Sequence, residues 1–306
     1  MFVSAFIPQY CWKDILDMSE KSNKKCVFKR VTANEWRSTI FHWANTEQWN
    51  MVESDISRFF NVDPHGFFIT YRNGMPISSM SMVNYSDTYT HGGHYIVPPE
   101  FRNHVCAGKI WKSSIAYAEH RTISCDGNSH LSSLYEKRGF VPHYRTFRMS
   151  GVITQKVIQP AGVLPITKIN IDGVIHYDAE CTGVYRGRLL ADWFWGEGRY
   201  GFCTHSDTGV TGIIGIRKST DGYRLGPFHA DNADVLETLF RAALAQVPTG
   251  EAVTFDAPET DNNQFIPLAK EYGLRELFYT FRMYKGNVIP KGRLEKLRAI
   301  ASLELG

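Results

Sequence analysis

One short set of residues constrains this chain more than anything else in it, because the set occurs twice. Asn128, Gly139 and Thr146-Phe147-Arg148-Met149 recur as Asn262, Gly273 and Thr280-Phe281-Arg282-Met283, all at one offset of 134 residues. A tetrapeptide can coincide by chance; a tetrapeptide in register with an Asn and a helix-ending Gly marks two copies of one folding unit. The length of 306 residues accommodates about two domains, each able to bury a core.

Taken in order, residues 1–26 precede the first unit, and Ser19 to Lys25 is polar and basic. A strand over Val27–Val31 leads to Thr32, an N-cap with Glu35 at the capping-box spacing, and to a helix carrying Trp36, Ile40, Phe41 and Trp43. Val52, Ile56, Phe59 and Phe60 mark a second helix, broken by Asp63-Pro64-His65-Gly66. The β-rich runs Phe67–Tyr71 and Ile77–Tyr85 flank Arg72-Asn73-Gly74, a strong hairpin signal. Gly92 to Trp111 then reads as strand, tight loop and helix: Tyr95–Val97 is apolar, Pro98-Pro99 stops it, and from Val105 the apolar spacing becomes helical. A short strand (Thr122–Cys125), a helix (Asn128–Lys137) and a last strand (Tyr144–Met149) complete the unit.

In the second copy the spacing predicts a helix over Gly183–Trp195, strands around Tyr200–Thr204, Gly212–Arg217 and Tyr223–Phe228, and a helix over Ala233–Ala245. A strand (Ala252–Phe255), a helix (Asn262–Tyr272) and a strand (Glu276–Tyr284) follow. The fold class is α+β, a mixed α/β sheet in two tandem units: 27–150 and 172–287, joined by a linker at 151–171 that holds Pro160, Gly162 and Pro165. In the tail, 288–306, the residues Leu294, Leu297, Ile300 and Leu303 predict a short packing helix.

Pro99-Glu100-Phe101-Arg102, a short loop and a helix resemble the coenzyme A loop of the GNAT (GCN5-related) N-acetyltransferases: Arg or Gln, two residues, Gly, one residue, then Gly or Ala. Arg102 and Ala107 fit that pattern, and Val105 stands where it has Gly. Further stretches are similar to the N-terminal GNAT domain of bacterial two-domain acetyltransferases: Gln48-Trp49-Asn50, Asp63 to Phe68, His94 to Arg102, and Cys125-Asp126-Gly127 followed by Tyr135 and Gly139-Phe140. Leu225 to Asp231, Phe255 to Glu259 and Phe281 to Gly286 resemble their GNAT-like C-terminal domain.

The resemblance implies an N-acetyltransferase that moves an acetyl group directly from acetyl-CoA, its co-substrate, to the primary amine of a small molecule. It places the backbones of Ile96 and Val97 against the pantetheine arm and the segment Arg102, Asn103, His104, Val105, Cys106, Ala107 and Gly108 at the pyrophosphate, with Asn128 also at the cofactor. A loop before a helix suits a phosphate, since its N–H groups and the helix dipole converge there. A Cβ at Val105 crowds a backbone that must approach the phosphates. Tyr135 takes the position of the tyrosine that protonates the leaving thiolate; a phenol with pKa near 10 is neutral at pH 7 and can donate. Its counterpart at the repeat offset, Ala269, has no proton to give, which assigns the chemistry to the first copy.

For the general base, His94 lies on the strand two residues before Ile96 and titrates in the useful range; a buried, hydrogen-bonded core histidine is the other reading. Glu53 and Asp55 are candidates to hold an ammonium group, or else solvated helix acids. Asp231, at the start of the helix after Phe228, caps that helix and repels phosphate. Two other functions stay open: a non-catalytic degenerate binding module, which Val105 favours, and a protein-lysine acetyltransferase, which needs an open peptide groove.

Composition narrows the rest. With 34 basic against 31 acidic residues and a net charge of +3, nothing argues for nucleic acid. No apolar run approaches the roughly 20 residues of a membrane span, and Met1–Tyr10 is followed at once by Lys13, Asp14 and Asp17, unlike a signal peptide. Cysteines 11, 26, 106, 125, 181 and 203 form no short-spaced pair, which predicts free thiols in a reducing cytoplasm. His91, His94 and His104 lack a carboxylate at a ligand spacing, so no metal is expected.

Overall fold

Local signals come out as the spacing predicts. The Thr32 hydroxyl accepts from the Glu35 N–H at 3.3 Å and the Glu35 carboxylate from the Thr32 N–H at 3.2 Å, closing the capping box. Asn73 and Gly74 both take positive φ, 54° and 81°, and turn one strand into the next. The structure, a computed structural model, describes residues 26–102, 105–260 and 263–306. The N-terminal segment before Cys26 and Asn103, His104 and Asn262 lie outside the described residues.

The first half runs β1 (Cys26–Arg30), α1 (Ala33–Trp36), a π-helical turn (Arg37–Phe41), α2 (His42–Thr46), α3 (Asp55–Val62), β2 (Phe67–Arg72), β3 (Met75–Asn84) and β4 (Tyr89–Ile96). It ends with α4 (Val105–Ala118), β5 (Thr122–Asn128), α5 (Ser132–Lys137) and β6 (Val141–Val152). The second half runs β7 (Leu164–Pro165), α6 (Ile171–Thr182), α7 (Gly187–Leu190), β8 (Arg199–Ser206), β9 (Gly209–Lys218) and β10 (Tyr223–Ala230). It ends with α8 (Ala233–Leu244), β11 (Ala252–Pro258), α9 (Phe265–Glu271), β12 (Arg275–Lys285) and β13 (Leu297–Ala299).

All thirteen strands join one sheet in the order β1-β2-β3-β4-β5-β12-β6-β11-β10-β9-β8-β7, with β13 on β10. The repeated tetrapeptides meet at its centre. Thr146 of β6 sits opposite Thr280 of β12; β12 also pairs with β5 of the first half and β6 with β11 of the second, so each half's last strand completes the other half's sheet. The repeated arginines fasten this exchange. Arg148 reaches both oxygens of Asp256 at 2.7 and 2.9 Å, and Arg282 both oxygens of Asp126 at 3.1 and 2.7 Å. Both pairs are buried; removing Arg282 strands Asp126 and costs about 3 to 5 kcal/mol, whereas Asp256 keeps a second partner, Arg224 at 2.5 Å, when Arg148 is removed.

The alternation of β2 sorts the layers: Phe67 and Ile69 face a core with Trp36, Ile56 and Phe59, whereas Phe68 faces α4 and α5 through Ile110, Trp111 and Tyr135. The first of these cores continues into α6 and α7 of the second half, through Val174, Leu189 and Trp193. Asp55 of α3 crosses the same boundary, accepting from Arg199 at 2.6 Å and Arg217 at 2.8 Å.

Four expectations are corrected here. Of the helix expected over Gly183–Trp195 only the single turn α7 (Gly187–Leu190) forms; the long helix, α6, lies earlier, and Gly183 ends it with φ 73°, the left-handed C-terminal position that glycine favours. The linker expected from residue 151 begins inside β6, whose edge continues to Val152 against Ala252. The tail is not a helix: Leu294–Lys296 is a 3-10 turn and Leu297–Ala299 a strand on β10, because a short apolar run is helix or strand according to the unpaired edge it meets. Cys26 and Cys106 form a disulfide that ties β1 to α4, while Cys125, Cys181 and Cys203 are free and buried. A separation of 80 residues in sequence hides a pair that the fold brings together.

Candidate active site

β4 and β5 run parallel and paired over Tyr89–Gly92 and Thr122–Cys125, then part. β4 stays on β3 through a bulge, since Gly93 faces Ser81 and Ile96 faces Ser79, leaving His94 and Tyr95 opposite the single residue Met80. β5 stays on its other neighbour, β12, with Asp126, Gly127 and Asn128 opposite Arg282, Phe281 and Thr280. A fork therefore opens between Gly93–Ile96 and Asp126–Asn128. The bulge puts His94 at φ +48°, so that Gly93 and His94 both look toward one face and Tyr95 toward the other.

On the α4–α5 face, Tyr95 and Tyr135 each meet the Trp111 ring edge-on at 5.3 Å, and the Arg138 guanidinium lies 4.2 Å from it. Tyr135 stands over Gly127, where a Cβ would come within 3.1 Å of its ring. Burial pushes the Tyr135 phenol above its ordinary range, so it stays protonated and able to donate. Asn128 accepts from the His130 N–H at 3.0 Å and caps the 3-10 turn that leads into α5, holding Tyr135 in place.

The opposite face receives His94. Its ring packs against Trp36 and Phe59, Nδ1 shares a 2.9 Å hydrogen bond with Ser81, and Nε2 has no partner among the described residues. Burial pulls its pKa down to about 4, so at neutral pH the ring is uncharged, and its Nδ1 is already engaged. Of the two readings open in the sequence, the buried core histidine is the one realised.

The loop residues are distributed as follows. The Ile96 side chain is buried in the core beneath α1–α3, and the Val97 carbonyl accepts from Arg102 Nε at 3.1 Å. Arg102 also pairs with Glu47 at 2.5 Å; a partly exposed pair is worth about 0 to 1 kcal/mol and yields readily to a phosphate. Val105 opens α4, Cys106 is held by Cys26, Ala107 is buried, and Gly108 is exposed with open space where a Cβ would be. The fork and this exposed helix start can hold an extended thioester arm with its anionic end outside the sheet.

Some acids expected near the acceptor are committed elsewhere: Asp55 to its two arginines, and Glu53, exposed, to Arg37 at 3.3 Å. In the second half the helix cap is Asn232, accepting from Val235 N–H at 3.0 Å, while Asp231 takes Tyr177 and Lys296. The residues that sequence reasoning missed are those of the chain's last segment, which threads the interior beside His91 and Gly93. The apolar residues of 294–303 were its signal, but their spacing pointed to a short packing helix.

A mixed sheet in two tandem units, with a fork between parallel strands and a helix start at its mouth, defines a tandem GNAT acyltransferase, and the chain belongs to the GNAT (GCN5-related) family. The family model for an acetyltransferase (GNAT) domain matches residues 174–298. The chain is 45% identical over 278 residues to the holothin acyltransferase of Pseudoalteromonas sp. (strain SANK 73390), covering 91% of this chain and 94% of that protein. In fold it resembles a putative acetyltransferase from Pyrococcus horikoshii, with a TM-score of 0.77 at 18% identity over 94% of this chain and 98% of that one. A tandem GNAT protein from the clavulanic acid biosynthesis pathway superposes with a TM-score of 0.60 at 14% identity over 85% and 98% of the two chains.

Proposed function

We propose that this acyltransferase moves an acyl group, acetyl first among the candidates, from its coenzyme A thioester to the primary amine of a small molecule, in the fork of the first half. The observation that carries the reading is the 45% identity to a holothin acyltransferase across nearly the whole chain, which makes holothin the first acceptor to test. Tyr135, neutral and beside the fork, is suited to protonate the leaving thiolate. Residues 300–306, all buried except the half-buried Leu303, fill the interior beside His91 and Gly93, which supports a compact acceptor over a protein lysine.

Calorimetric titration of acetyl-CoA, followed by mass spectrometry of holothin incubated with protein and acetyl-CoA, tests this. Binding at one site per chain, weakened about tenfold by Arg102→Ala as one charge-assisted contact is lost, with a mass gain on holothin, is expected. No binding at millimolar acetyl-CoA would return the protein to a non-catalytic role.

A further inference from the structure

Beyond β13 the chain runs through the middle of the molecule, and side chains of both halves hold its carbonyls. Arg217 donates to Ala301 O at 3.1 Å, His91 Nε2 to Leu303 O at 3.2 Å, Tyr85 to Leu305 O at 2.9 Å, and Arg186 to Gly306 O. Between these anchors Glu304 lies against the fork: a Cβ at Gly93 would come within 2.3 Å of the Glu304 carbonyl oxygen, so only glycine admits the segment there.

We propose that Glu304, carried to the fork on this segment, is the carboxylate that binds the acceptor's ammonium group and takes its proton. The inference rests on the acyl-transfer reading above and adds a catalytic residue to it. Glu304 is 6% exposed, and a carboxylate so buried ordinarily has partners. Asp55, Asp63, Asp126, Asp178 and Asp256 each accept two or more hydrogen bonds. Glu304 accepts none from a described residue and forms no ion pair with one. The charged and titratable groups that feel its charge are His94 of β4 and Asp126 of β5 on the fork side, and Arg148 of β6, Arg217 of β9 and Arg224 of β10 on the other, where each arginine is already held by Asp256 or Asp55. The histidines there do not compete: His91 is bound to Ser124 and Leu303 O, His94 is packed in the core, and burial keeps both neutral.

The step balances. The ammonium gives one proton to Glu304, and the freed lone pair forms the C–N bond at the thioester carbonyl carbon. The C–S bond breaks with its electron pair on sulfur, and the thiolate takes the Tyr135 phenol proton. The second amine proton restores the phenol, and Glu304 releases its proton to water.

Full-length wild type, Glu304→Gln and Glu304→Asp are compared with acetyl-CoA and holothin. Glu304→Gln should bind acetyl-CoA within about twofold of wild type and lose about a hundredfold or more in kcat/KM at pH 7. The deficit should narrow as pH rises and water supplies free amine, which a purely structural role does not produce; Glu304→Asp should recover part of the rate. Wild-type turnover with Glu304→Gln equally fast at every pH overturns Glu304 alone. If the Gln variant does not fold, Glu304→Asp decides: folded and unchanged in both rate and pH profile, it overturns the proposal. Acetyl-CoA binding without acylation of holothin or of a panel of primary amines by wild type overturns the acyl-transfer reading, and the role of Glu304 with it.

Discussion

In the first half β4 and β5 part after Gly92 and Cys125, and no described strand enters between them. In the second, β10 and β11 part after Leu225 and Phe255, and β13 enters: Ala299 and Leu297 pair with Phe228 and His229, and Ile300 N–H donates to Asp256 O at 3.0 Å. Gly226, at φ +136°, makes room for it, since a Cβ there would lie 2.1 Å from Ile300 O. A fork between parallel strands exposes unpaired backbone, and the chain's own last strand satisfies it in one copy. The difference is that one fork is filled by the chain's own backbone and the other is not, and from the filled fork residues 301–306 cross to lie beside His91 and Gly93 of the open one.

That comparison can be strained at its centre first. Arg282→Met strands the buried Asp126 and should cost about 3 to 5 kcal/mol in denaturant unfolding, while Arg148→Met should cost less, because Arg224 still holds Asp256. A larger loss for Arg282→Met would show that the second arginine on Asp256 makes the two exchanged strands unequal; equal losses would show that Arg224 does not compensate for Arg148.

Acid should discriminate next. His94 titrates at about 4 in the folded chain and near 6.5 unfolded. Below pH about 6.5 the unfolded chain therefore takes up a proton that the folded chain refuses. Stability present at neutral pH is lost as pH falls from about 6.5 to about 4, by about 3 kcal/mol from this one residue. His94→Gln should flatten that limb of the stability profile; an unchanged slope assigns it to other groups.

Tyr135→Phe should lower turnover by about a hundredfold while leaving acetyl-CoA affinity within about twofold, because only the proton donor is removed. Its counterpart Ala269 is fully buried in the second core and offers no equivalent test. Turnover undiminished at saturating substrates would remove Tyr135 from the chemistry. The smallest effect concerns Gly108, exposed in the first turn of α4. Gly108→Ala should stabilise the helix by up to about 1 kcal/mol. It should also weaken acetyl-CoA binding severalfold if the phosphates approach there, whereas a gain in stability with affinity intact would move them elsewhere.

What was legible in the sequence follows the range of the interaction. The Thr32–Glu35 capping box, the Asn73-Gly74 turn, the ends set by Gly139 and Gly273 and the 134-residue repeat all rest on residues close in sequence or on copies of them. The site was legible in part. Tyr135 and the loop could be picked out by pattern, whereas His94 read equally well as base or core, and only its packing against Trp36 and Phe59 decided between them. Glu304 carried no local signal, being one acid near the end of a chain with many.

By itself, then, the sequence determined two copies of one mixed unit, their local turns and caps, and a strand-loop-helix able to meet a phosphate. Only the tertiary structure decided that β6 and β12 trade places, that Cys26 meets Cys106, that β13 closes one fork, and that Glu304 reaches the other. Strand edges offer the same N–H and C=O groups whatever their side chains. Which edge a strand takes is therefore settled by burial and charge pairing with residues more than a hundred positions away, as Arg148 with Asp256 and Arg282 with Asp126 show.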